Sequence, residues 1–140
     1  MTNGQFFVIF AAVSPATIDR VNKTFLLIGS LFAFLGVAFG AFGAHGLRGR
    51  LSPEMLAVFE TAVRYQMYHA LAILLVGLMM SPMGGWAIHT AGWAFVIGIL
   101  VFSGSLYLLA LTGTTMFGAI TPIGGLAFLV GWACLMFAGF

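Results

Sequence analysis

Charge is what this sequence has least of. Only 6% of its 140 residues are Asp, Glu, Lys or Arg, against roughly 25% in a soluble globular domain. That deficit cannot clothe a surface facing water, so the expected solvent is lipid. Cysteine is scarcer still. The single Cys134 can close no disulfide within the chain and has no companions for a metal site. It reads as a small packing residue. Phosphate-binding loops, nucleophile triads and spaced clusters of metal ligands are missing as well. No catalytic residue, no metal and no cofactor is expected. The formal charge of +2 rests on five basic residues, too few to suggest nucleic acid as a partner.

What is there is apolar. Hydrophobic residues make up 62% of the chain, and the mean hydropathy is +1.15. The long runs show no period-two alternation, which favours helices over a barrel. In hydrocarbon a helix satisfies its backbone internally. The expected fold class is therefore an all-α membrane protein, a four-transmembrane-helix bundle. Spans are expected near Thr24–Ala44, Gln66–Met80, Trp86–Leu111 and Phe117–Gly139. An interfacial amphipathic lead-in from Pro53 should precede the second. Residues 1–23 read as an N-terminal extension outside the 24–140 domain. Their apolar run Phe6–Val13 falls short of the ~20 residues a span needs, and Pro15 and Asp19–Arg20 interrupt it.

The charge that exists is concentrated between Gly40 and His69. Arg48, Arg50, Glu54, Glu60 and Arg64 lie there, bracketed by His45 and His69. The first span should end at Gly43-Ala44-His45-Gly46 in a left-handed cap, with His45 capping free carbonyls. Ser52-Pro53-Glu54 reads as a helix start: N-cap, proline at the first position, acid in the first turn. From Pro53 to Met80 an unbroken helix would measure about 42 Å, longer than a hydrocarbon core of about 30 Å. Its first three turns should lie at the interface or beyond it.

Along that helix Glu60, Arg64 and Tyr68 form one stripe, and Thr61, Tyr65 and His69 another beside it. His45, Glu60, Arg64, Tyr65 and His69 are thus the candidate polar site, facing the bundle interior with Glu60 paired to Arg64. The alternative is that the stripe only holds an interfacial helix in place. Arg48, Arg50 and Arg64 on one side against Arg20 and Lys23 on the other favour, narrowly, a cytoplasmic 45–65 segment.

Small residues mark the helix contacts. Gly36 and Gly40 form one small-residue face. Ala127 and Gly131 form another on the fourth span, an expected partner for the first. Ser81–Gly85 should be a turn. Trp86 and Trp93 frame an aromatic belt that includes His89. Thr121-Pro122 either kinks the fourth helix or caps a new one.

The ordered motifs resemble a known family. They are Gly40-Ala-Phe-Gly-Ala-His45-Gly46-Leu47, then Thr61…Tyr65-Gln66…His69-Ala70-Leu71, then Phe102-Ser-Gly-Ser-Leu-Tyr107 and Thr121-Pro-Ile-Gly-Gly125…Gly131-Trp132. Together they are similar to the small bacterial inner-membrane family catalogued as domain of unknown function 423, whose animal relatives are called transmembrane protein 256. The resemblance covers about Thr24 to Phe140. It implies a multi-pass protein of four helices in the bacterial inner (cytoplasmic) membrane, and it carries over no catalytic residues.

Three functions remain open. The first is a structural or accessory subunit whose partners are the lipid bilayer and a larger membrane complex or a second copy. The second is a small transporter or proton-conducting module using the charged stripe. The third is a haem- or quinone-binding subunit using His45 and His69, which for haem would have to face one cavity.

Overall fold

The structure, a computed structural model, describes residues 21–83 and 85–139, with the backbone alone at 81–83. The expectation for residues 1–20 lies outside that range. Four helices among the described residues are long and apolar enough to cross a membrane: α1, Lys23–Leu47; α2, Pro53–Met83; α3, Trp86–Thr112; and α4, Met116–Ala138. The chain is an all-α membrane protein built as a four-helix bundle. Successive helices run antiparallel. α1 packs on α2 and α3 on α4, while α2 and α3 join the two pairs through the core.

Helix ends follow local chemistry. Asn22 caps α1, its side-chain oxygen accepting from the Phe25 N–H at 3.1 Å, so the helix begins one residue before the expected Thr24. Ser52 caps α2 as its sequence suggests, accepting from Met55 N–H at 3.3 Å. α3 stops at Gly113, whose φ of 71° is open to glycine and whose N–H closes on the Leu109 carbonyl at 2.8 Å.

The end of α1 departs from expectation. Gly43 stays right-handed at φ −58°, and Gly43–Leu47 forms a π turn. The left-handed residue is Gly49, at φ 83°. Gly46 serves close approach instead: a Cβ there would lie 2.7 Å from the Phe42 ring. α2 also outruns the expected turn, staying helical through Ser81 and Pro82 to Met83. In α4, Pro122 lies inside a continuous helix, so the reading in which Thr121 caps a new helix does not hold.

The α1–α2 pairing sets the register of the two helices. Asn22 N–H bonds the Gly77 carbonyl at 3.0 Å, and Gly43 at the other end faces the Phe59 ring. Between them Gly29 meets Leu74, Gly36 meets Met67, and Gly40 meets Val63. Phe59–Gly77 rises about 27 Å, one hydrocarbon core. The stretch of α2 that packs on α1 thus begins at Phe59, seven residues before Gln66.

The two small-residue faces do not pair with each other. Gly36 and Gly40 are consumed by α2. Gly131 instead takes the Phe95 ring of α3, and Gly124 lets the Phe102 backbone in. A Cβ at Gly131 would lie 2.5 Å from Phe95. Ala127 is half-buried on the same helix. The core between the pairs is Phe25, Ile73, Val76, Ile88, Phe95 and Phe128 with smaller neighbours. Phe25 reaches from α1 onto Gly92 and packs edge-on to Trp93 at 5.7 Å.

Candidate functional site

That register places Gln66 and His69 near the middle of the stretch of α2 that packs on α1. In hydrocarbon a polar side chain there must find a partner inside the protein. Gln66 is 3% exposed. Its amide nitrogen donates to the Phe32 carbonyl of α1 at 2.8 Å. Its amide oxygen accepts from the Tyr107 hydroxyl of α3 at 2.9 Å. One side chain thus ties three helices. Gly36 lies alongside it, where a Cβ would meet Met67 at 3.2 Å and the amide nitrogen at an ordinary 3.7 Å.

His69 is the second knot. Its Nδ1 lies 2.8 Å from the Tyr65 carbonyl. That oxygen can only accept, so Nδ1 carries the proton. The indole N–H of Trp132 on α4 donates to Nε2 at 3.3 Å, so Nε2 carries none. The two partners select the neutral, Nδ1-protonated tautomer. The imidazole also lies flat on Phe128, with centroids 3.4 Å apart and planes 8° apart.

A third knot joins α3 to α4. Ser105 and Thr121 hydroxyls lie 2.8 Å apart. Ser105 also reaches the Phe102 carbonyl at 3.0 Å, and Thr121 the Phe117 carbonyl at 3.3 Å. Two hydroxyl protons serve three contacts, so one is unmade at any instant. The irregular stretch of α3 sits beside this knot: Ile99–Ser103 is a π turn, facing the segment of α4 around Pro122. Pro122 has no N–H to give the Gly118 carbonyl. Ser103 is fully buried, and its hydroxyl has no partner among the described residues.

Of the five residues singled out from the sequence, the structure brings Tyr65 and His69 together against α3 and α4. It sets the other three apart. His45 is exposed on the π turn at the end of α1. Glu60 and Arg64 are exposed near the start of the spanning segment and line a shallow cleft against Gly40 and Gly43. Arg64 donates to the Thr61 hydroxyl at 3.2 Å, which itself donates to the Ala57 carbonyl. Among the described residues no hydrogen bond joins Glu60 to Arg64, or His45 to His69. Tyr107 and Trp132 entered the sequence reading only as motif letters, and Gln66 only as a motif letter and a span boundary. The signal that finds Gln66 is an amide inside an otherwise apolar span, where a partner on another helix is demanded.

Between α2 and α4 a groove of about 620 Å³ opens sideways. Tyr65, Phe102, Phe128 and Trp132 wall it, and Gly125 and Pro122 lie along α4 at its edge. Tyr65 packs on Phe102 with centroids 4.6 Å apart, and 39% of its surface is exposed.

An antiparallel apolar bundle, tied together by Gln66, His69 and the Ser105–Thr121 pair, is the interior of a membrane protein. The chain belongs to the family described as Protein of unknown function (DUF423), whose model matches residues 39–125. It is similar to the UPF0382 membrane protein SH2409 of Staphylococcus haemolyticus, 48% identical over 118 residues, 84% of this chain and 96% of the relative. The UPF0382 membrane protein SERP0230 of Staphylococcus epidermidis is 49% identical over 116 residues, 83% and 94% of the two chains. The UPF0382 membrane protein YwdK of Bacillus subtilis is 44% identical over 117 residues, 83% and 95%. No solved structure matches the chain significantly.

Proposed function

We propose that the chain is a structural or accessory component of the bacterial cytoplasmic membrane, crossing it four times and packing beside a larger membrane complex. The observation that supports this is how the polar groups inside the bundle are spent. Gln66 holds α1 and α3 to α2, and the His69–Trp132 and Ser105–Thr121 bonds hold α4 to α2 and α3. A transporter or proton conductor needs such groups to face a path and exchange partners. A haem subunit needs a free imidazole nitrogen, and both nitrogens of His69 are engaged.

The outer helices supply the surface for a neighbour. α2 and α3 bury 39% of their most apolar stretch, α1 and α4 only 17%. Leu27 and Phe34 on α1 and Leu129 on α4 stand at least two-thirds exposed. The test is gentle solubilisation of native membranes followed by native electrophoresis and quantitative mass spectrometry. A fixed-stoichiometry membrane partner, whose own assembly falters when this chain is deleted, is expected. Saturable ion or solute flux by the purified chain in proteoliposomes would overturn the reading.

A further inference from the structure

The lateral groove carries an inference beyond an accessory role, and it begins with one hydroxyl. Tyr65 lies six residues into the Phe59–Gly77 segment, about 9 Å along the helix, on a helix long and apolar enough to cross a membrane. The neighbouring polar groups at this level are engaged: Gln66 with Phe32 and Tyr107, His69 with Tyr65 and Trp132. The Tyr65 hydroxyl makes none of the side-chain hydrogen bonds among the described residues. Its ring is held by Phe102 on one face and opens into the groove. A phenol donor left unmatched in hydrocarbon is unfavourable, so a ligand that supplies an acceptor gains what water cannot give there.

The walls define the rest of that ligand. Phe102, Phe128 and Trp132 present aromatic surface, and Gly125 contributes no side chain. No Asp, Glu, Lys or Arg lines the groove, so the occupant is uncharged. Its volume of about 620 Å³ falls within the ~300–1,000 Å³ of small-molecule sites. An alkyl chain alone offers Tyr65 nothing, and the ester oxygens of a phospholipid belong to the interface. A flat ring with a carbonyl oxygen, soluble in the membrane interior, satisfies both the aromatic walls and the donor. We propose that the α2–α4 groove binds a lipid-soluble quinone, its ring against Tyr65 and Trp132 and one carbonyl accepting from the Tyr65 hydroxyl.

Trp132 makes the test direct. With Trp86→Phe and Trp93→Phe, both exposed and outside the groove, Trp132 is the sole indole of the full chain. The protein in dioleoylphosphatidylcholine nanodiscs is titrated with menaquinone-4, which quenches indole fluorescence on contact. Saturable quenching is expected. Tyr65→Phe should weaken it about tenfold, the worth of one hydrogen bond. Gly125→Leu, which fills the groove, should leave only the linear quenching of partitioned quinone. Thermal unfolding of each variant checks its fold, and Tyr65→Phe alone decides if Gly125→Leu does not fold. Linear quenching in the parent, or equal affinity in parent and Tyr65→Phe, overturns the site. Displacement of the quinone by an equal concentration of hexadecane would also overturn it, making the groove a seat for acyl chains.

Discussion

The amide nitrogen of Gln66 bonds the Phe32 carbonyl at 2.8 Å, although that carbonyl already belongs to the hydrogen-bond ladder of α1. A carbonyl oxygen has two lone pairs, so Gln66 fastens the helices without unwinding either. Its oxygen then fixes Tyr107, and exchanging the two amide atoms would set the amide oxygen against the Phe32 carbonyl, acceptor to acceptor.

Gln66→Leu should therefore destabilise more than Tyr107→Phe. The first strands the Tyr107 hydroxyl in the bundle and should cost about 1–3 kcal/mol. The second strands the Gln66 amide oxygen, again about 1–3 kcal/mol, but keeps the Phe32 bond, and it should cost almost nothing once Gln66 is Leu. Reversible unfolding in mixed micelles reads the cycle. A coupling below ~0.5 kcal/mol would mean the two side chains are independent.

Adjacent glycines of α4 should respond differently to one methyl group. At Gly124 the new Cβ runs into the Phe102 backbone, whereas at Gly125 its nearest neighbours are Phe102 ring atoms at 3.8 Å. Gly124→Ala should destabilise by about 1–3 kcal/mol through overpacking. Gly125→Ala should be neutral, or stabilising by up to ~1 kcal/mol from helix propensity. Gly131→Ala, against Phe95, should follow Gly124. Midpoints of thermal unfolding compare the three.

Glu60 and Arg64 should be energetically separate. Both are exposed and Arg64 turns to Thr61. Glu60→Gln, Arg64→Met and the double variant should give a coupling below ~0.5 kcal/mol. A larger value would show that the pair closes in the membrane.

The four helices put Arg50 and Thr114 at the same face of the bundle and Trp86 at the other. In a Cys134→Ala background, Arg50→Cys and Thr114→Cys should be labelled together by a membrane-impermeant maleimide, and Trp86→Cys with the opposite accessibility. By the positive-inside tendency the arginine face is expected in the cytoplasm. Labelling of Arg50→Cys on intact cells would reverse that orientation.

The bundle was legible because uninterrupted apolar runs carry their own length, and Ser52-Pro53 and Gly113 carry their own punctuation. Pairing was not. Gly36 and Gly131 each announce a close approach, but a missing side chain does not say which helix arrives, and Met67 and Phe95 arrive rather than each other. The π turns escaped for a related reason: one extra residue in a turn leaves no periodic trace in an all-apolar stretch. Attention to charge favoured Glu60 and Arg64. Those two charges lie exposed, whereas a neutral amide or indole inside the bundle must find its partner within the protein, and Gln66 and Trp132 are where the helices are tied.

Because α1 closes on α2 and α3 on α4, each half of the molecule is a hairpin of consecutive segments. The first can close while the second is still leaving the ribosome, and only the α2–α3 seam waits for the whole chain. Such local wiring favours rapid assembly, with helices inserting before they associate. A gene divided at Gly84 should then yield two fragments that find one another in the bilayer, with Gln66 on one reaching for Tyr107 on the other.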